Sequence, residues 1–264
     1  MVALYSTMLR GPSSSSSAAT LSFATLAHMI RIAHKYQIDG VLEPAVARLA
    51  QFFNPGAQWV EIADTHPKRW EFWKKYCGLD IELEDVVEAV EIFHLVEKPE
   101  CLPFAFYLCC LCKPSVLRNG VGREDGTAVR LSDEDFTRCF QGSLALSKEC
   151  HIVLQRALES HESIIGFLFS SGECTAPPKR CNDFLTQRAR EHSTDESWYP
   201  LSDLFNPPEH RRPRFTVHTL RHQLCKSCSG RLASFSLHTR QHLFQDLHRF
   251  FSLEAPAATR FHDQ

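Results

Sequence analysis

Residues 28–53 read HMIRIAHKYQIDGVLEPAVARLAQFF, and their periodicity decides the fold class. Together with Leu26 just before the quoted stretch, Met29, Ile30, Ala33 and Tyr36 recur at steps of three and four, the period of one face of an α-helix. Gln37 to Gly40 supplies a turn. Val46, Leu49, Phe52 and Phe53 then carry the same period onto a second helix, with Pro44 expected near its first turn, where a missing N–H costs nothing. Asn54-Pro55-Gly56 ends that helix. The stretch predicts a helical hairpin with one shared apolar face.

Onward from the hairpin, Trp59, Trp70 and Trp73 mark an aromatic-rich connection, irregular or in short helical pieces. Asp80–Val96 predicts a longer helix: Asp80, Glu82, Glu84 and Asp85 complement the positive end of its dipole, and Val86, Ala89, Val90, Phe93 and Val96 form its buried stripe. Lys98-Pro99 stops it. The next segment, LPFAFYLCCLC at residues 102–112, is apolar all round, which places it at the centre of the core. Residues 113–130, with Gly120, Gly122 and Gly126, predict a surface loop or hairpin. Ser132 followed by Asp135 fits a capping pattern that opens a helix carrying Phe136, Cys139 and Phe140. A further helix carries Cys150, Val153, Leu154, Ala157 and Leu158. Period-two runs with turn signals are missing, so the expected fold class is mostly α with few strands.

Composition bounds the function. The 264-residue chain has 29 basic and 31 acidic side chains, so it carries no overall field for nucleic acid or an anionic membrane. Its longest apolar run, Leu102–Cys112, is short of the roughly 20 residues a membrane span requires. Residues 1–10 lack the continuous apolar core of a secretory signal, and Gly11–Thr20 is a serine-rich flexible stretch. The expectation is an intracellular protein, cytoplasmic or nuclear, in which the 11 cysteines are reduced thiols or metal ligands. Three regions follow: a flexible N-terminal segment at 1–20, a helical body at 21–170, and a tail at 171–264 where Pro, Cys, His and Arg rise and a helix around Leu243, Phe244, Leu247, Phe250 and Phe251 closes the chain.

The best metal constellation is in that tail. Zinc takes four soft ligands in a tetrahedron, and Cys225-x2-Cys228 supplies two from one tight turn, with Cys174 and Cys181 as the remaining pair. Packed or reduced cysteines are the alternative, and no cofactor is required. His218, His222 and Cys225 fall at i, i+4 and i+7, one face if that segment is helical, with a solvated histidine-rich face as the plainer reading. Cys109, Cys110 and Cys112 sit in the apolar run, where burial raises a thiol's pKa and disfavours a nucleophile. Ser143 does not complete G-x-S-x-G, because Gln141 and Ala145 stand where its two glycines belong. The three arginines of HRRPRF, residues 210–215, are a short isolated cluster whose plainer reading is a solvated turn, so a nucleic-acid role is disfavoured. No catalytic set emerges, and the expected class is non-enzymatic.

HMIRIAHKYQIDGVLEPAVARLAQFF resembles the helical hairpin that ends BTB/POZ domains of the kind found in mushroom-forming fungi. EAVEIFHLVEKPECLPFAFYLCC is similar to that family's downstream helix pair, and NGVGREDGTAVRLSDEDFTRCFQGSLAL to its glycine loop and following helix. LCKSC and RQHLFQDLHRFFSL resemble its paired cysteines and closing helix. The resemblance implies the helical C-terminal part of a BTB/POZ domain, then a helical extension and an irregular Cys/His-rich tail. Complete members carry a small β-sheet and several helices before the hairpin, so the expectation is an N-terminally truncated domain, with VALYSTMLRG at residues 2–11 as the remnant of the preceding segment. It further implies a protein-binding adaptor, in homo- or hetero-association. His28, His34 and Lys35 on the hairpin, and Phe244 and Phe250 in the tail, are the expected contact residues.

Overall fold

The computed structural model describes residues 20–56, 58–65, 69–123, 126–159, 181, 183–184, 187 and 223–253. Helices take up 74% of them and the strands are two residues each, so the fold class is mostly α. No helix among the described residues is long and apolar enough to cross a membrane. Two compact units divide the chain. The first takes residues up to Gln58, then Ile62–Gly142 and the closing segment from Leu247; the second takes Trp59–Glu61 and Ser143–Asp246. Residues 1–19 of the expected N-terminal remnant, and the compositional boundary near residue 170, lie outside the described residues.

In the first unit the hairpin consists of α1 (Phe23–Lys35) and α2 (Asp39–Phe53). Ser22 caps α1 by accepting the Thr25 N–H at 3.2 Å. Phe23, Leu26, Ala27, Ile30 and Ala33 form the buried stripe of α1. Tyr36, expected to continue that stripe, is 65% exposed. The helix stops one residue earlier: Gln37 turns to φ +54°, and the Ile38 N–H returns to the Ala33 carbonyl at 2.8 Å, a Schellman closure made without glycine. α2 begins at Asp39, so Pro44 lies inside it and not in its first turn as expected. Pro44 therefore leaves the Gly40 carbonyl without its intrahelical donor.

Two further helical pieces, α3 (Gln58–Thr65) and α4 (Arg69–Cys77), occupy the aromatic-rich connection. Trp73 is buried on α4 and donates its indole N–H to the Phe52 carbonyl at 3.0 Å. Strand β1 (Leu21–Ser22) pairs in parallel with β2 (Leu79–Asp80), Leu21 opposite Leu79. That pairing moves the next helix. The segment expected to be helical from Asp80 passes through β2 and a 3-10 turn at Leu83–Asp85 before α5 (Val86–Leu95) begins. Asp80 and Glu82, read as dipole-complementing acids, instead each sit 2.8 Å from the Lys74 ammonium.

Helix α6 (Leu102–Cys109) is buried at every position except Pro103, as an all-apolar segment requires. Around it lies an aromatic cluster: Phe53 meets Phe93 at 5.1 Å and Phe104 at 6.5 Å, and Phe106 meets Phe251 at 5.6 Å. One buried cation interrupts this core. Arg48, 5% exposed, donates to the Gly78 carbonyl at 3.0 Å while its Nε and Nη1 have no hydrogen-bond partner.

After α7 (Pro114–Asn119), β3 (Val121–Gly122) and β4 (Ala128–Val129) pair antiparallel, the hairpin expected of residues 113–130. Ser132 then caps α8 (Asp133–Glu159), accepting the Asp135 N–H at 3.0 Å. Where two helices were expected, α8 is a single one of 27 residues, with Gly142 inside it. A Cβ at Gly142 would stand 2.3 Å from the ring of Phe251. The glycine thus provides the close approach that seats the closing segment of the chain. Gly142→Val is expected to cost about 1–3 kcal/mol as an overpacked core does, measured by urea unfolding. Phe136 and Phe140, read as part of that helix's apolar pattern, are 40% and 61% exposed, while Cys139 beside them is buried. The chain closes with α9 (Lys226–Gln245) and the short α10 (Leu247–Phe250).

Candidate metal centre

In the second unit, Cys181, Cys225 and Cys228 converge. Their Sγ atoms all lie within 4.8 Å of one another, although Cys181 and Cys225 are 44 residues apart in sequence. Zinc–sulfur bonds of about 2.3 Å in a tetrahedron place neighbouring sulfurs about 3.8 Å apart, so a small contraction would bring the three into ligating geometry. Cys181 and Cys228 are buried and Cys225 is partly so.

Local structure accounts for the placement. Cys225 stands in an extended conformation at the N-cap of α9, and its sulfur accepts the Cys228 N–H at 3.5 Å, as a serine oxygen would. The Cys225 N–H in turn points at the Cys181 sulfur, 3.4 Å away. Two backbone amides thus aim at two of the sulfurs. The N-terminal end of a 20-residue helix adds a partial positive charge, and both effects favour the thiolate form, the form that binds metal.

Cys174, the fourth expected ligand, lies outside the described residues, as do His218, His222 and the arginines of 210–214. The reading that placed Cys225 on one helix face with the two histidines does not hold at Cys225. Residues 223–225 form a turn and an extended step before α9 begins, which breaks the i, i+4, i+7 register.

A second group of thiols lies in the first unit, with different chemistry. Burial pushes Cys112 up to about 12. Cys109 and Cys110 are also held well above the usual thiol range, chiefly by their interaction with the Cys139 thiol, with burial acting the same way, and Cys110 donates to the Cys139 carbonyl at 3.3 Å. The same thiol interactions pull Cys139 down, against burial and the neighbouring Asp135 carboxylate. The cluster is a unit that favours at most one anion, placed on Cys139.

Next to it, Asp135 accepts from the Ser132 hydroxyl at 2.8 Å and from Arg138 at 3.2 Å, and stands 3.1 Å from the His94 imidazole. Serine, histidine and aspartate therefore meet, but in the wrong order for acyl transfer. The hydroxyl donates to the carboxylate, whereas a nucleophilic serine must give its proton to the imidazole. The sequence pattern Ser132-x2-Asp135-x2-Arg138 foreshadows the helical part of this group, but the approach of His94 from α5 has no local signal.

Of the residues expected to contact partners, His28, His34 and Lys35 are exposed, and Phe244 and Phe250 are half-buried. A His28 ring nitrogen bonds the Ala24 carbonyl at 2.8 Å, and the Lys35 ammonium lies 5.5 Å from the Tyr36 ring centroid. His34 helps line a groove of about 630 Å3 with Leu42, Val46, Ala50, Leu95 and Lys98. Beside it in sequence, Ile32, Tyr36 and Ile38 are 54%, 65% and 45% exposed. On α9, His238 and His242 bring their Nε2 atoms 3.1 Å apart, a pairing legible in the sequence as His-x3-His on a helix. Comparison of the chain with protein families, with curated proteins and with solved structures finds no match.

Proposed function

We propose that this chain is a non-enzymatic protein-interaction module resembling a BTB/POZ protein, which binds an apolar segment of a partner protein at the turn end of the α1–α2 hairpin. The observation that carries this reading is the exposure of Ile32, Tyr36 and Ile38 around the α1–α2 turn, next in sequence to a groove that His34, Leu42, Val46, Ala50 and the exposed Leu95 line. Exposed apolar surface gathered in one place marks an interaction site, whereas single exposed hydrophobes do not. Glu43 and Glu97 outnumber Lys98 in the groove lining, which suits an apolar segment better than a phosphate backbone. Glu97, in the lining just past α5, and Gln37, just past α1, hold φ +54° without being glycine. A binding reading is further supported by the arrangement at Asp135, whose Ser132 and His94 neighbours are turned away from nucleophilic chemistry.

A photo-crosslinking residue at Tyr36 tests it, with one at exposed Lys113 as the control. The expected result is a discrete protein adduct at position 36 that Leu95→Asp abolishes and position 113 does not give. Equal labelling at the two positions, or adducts indifferent to Leu95→Asp, overturns the reading. The mass of the adduct separates a second copy of this chain from another protein.

A further inference from the structure

We propose that Cys181, Cys225 and Cys228 hold a zinc ion whose role is structural, fastening the chain around Cys181 to the N-terminus of α9. This goes beyond the binding role of the hairpin and does not depend on it. Three thiols drawn from two remote segments to within 4.8 Å of one another form a soft donor set. Thiolates select zinc, copper(I) or iron–sulfur clusters over the hard cations. A compact set with one knuckle from a tight turn is the arrangement of a closed zinc site, in which one further ligand completes the tetrahedron. The two amide–sulfur hydrogen bonds supply the second shell: they fix the sulfurs in place and offset the excess negative charge of several thiolates on one divalent ion.

The composition of the tail explains the need. Between Cys181 and Cys225 the sequence is rich in Pro, His and Arg, with apolar residues too sparse for a hydrophobic core of its own. Where core area is short, a metal cross-link supplies folding free energy directly. A bound ion would close a loop of 44 residues, a long one whose ends are otherwise costly to bring together. Binding displaces the thiol protons, so affinity falls as the pH is lowered.

The test uses the full chain, expressed with zinc supplied and purified under reducing conditions. Elemental analysis is expected to find about one zinc per chain, reduced to background in Cys225→Ser and in Cys228→Ser. Exchange with cobalt(II) is expected to give an intense sulfur-to-cobalt charge-transfer band in the near ultraviolet. That band separates the cysteine site from the exposed His238–His242 pair, which can produce only weak ligand-field bands, and it reads the wild-type protein without relying on a variant that folds. Chelation is expected to open the segment between Cys181 and Cys225 to protease while leaving α1 to α6 protected. Zinc-free protein with all its thiols titratable, zinc retained in Cys225→Ser, or cobalt bound without a charge-transfer band would each overturn the proposal.

Discussion

Leu108→Asp is expected to abolish cooperative unfolding, leaving a chain without a thermal transition by calorimetry or near-ultraviolet circular dichroism. Leu108 is fully buried on α6, the helix with no solvent face. Truncating a buried leucine typically costs about 2–5 kcal/mol. A carboxylate in its place adds several more, whether it stays charged without a partner or takes up a proton to avoid doing so. The sum approaches or exceeds the whole stability of a typical domain, about 5–15 kcal/mol. Phe106→Asp should behave alike, with the additional loss of the ring contact to Phe251. A soluble Leu108→Asp protein with a sharp transition would show that α6 is not the centre of the first unit.

Raising the pH from 8 to 10 in reductant is expected to remove about 6 kcal/mol of unfolding free energy, a loss ordinary domains do not show. Burial pushes Cys77, Cys101 and Cys112 each up to about 12. A thiol in the unfolded chain ionises near about 8.5. Above that value the unfolded state binds fewer protons than the native state, so stability falls with pH. Each of these thiols contributes its full stabilisation below its unfolded pKa and loses about 1.4 kcal/mol per pH unit above it, until the native thiol itself ionises near 12. Urea unfolding at pH 8, 9 and 10 measures the slope. Cys101→Ala should flatten it, since one of the contributing thiols is then gone. A flat profile would mean that these thiols are solvated.

How much of this was legible in the sequence depends on the range of the interaction involved. The burial of α6 was legible because a segment with no polar face has only one place to go. The apolar stripe through Leu26, Ile30 and Ala33 was legible for the same reason, but its end was not. Periodicity runs on through Tyr36, and the closure at Gln37 uses a left-handed residue that no glycine announces. Acids at the start of a helical pattern look alike whether they face a dipole or a lysine. Only the packing of α4 shows that Asp80 and Glu82 belong to Lys74, and only the β1–β2 pairing shows that α5 starts at Val86. Gly142 lies between the two stretches expected as separate helices, yet α8 runs through it, and the glycine answers to an aromatic ring far along the chain. The metal site divides the same way. The Cys225–Cys228 spacing is a local signal, whereas the arrival of Cys181 is a tertiary event.

The seat of Phe251 has a consequence for how this protein is made. Its ring fills the space over Gly142 and against Phe106, yet over half the chain separates Phe106 from Phe251. On the ribosome, at about 5–20 residues per second, Phe106 and Gly142 emerge many seconds before the ring that covers them is polymerised. The first unit, although it opens the chain, cannot complete its core during elongation. It must wait in a partly finished state until Phe251 has been made, with the aromatic face of α6 available to chaperones in the interval. The order of translation and the order of folding therefore diverge here, and a segment made long after α6 is the one that closes the first unit.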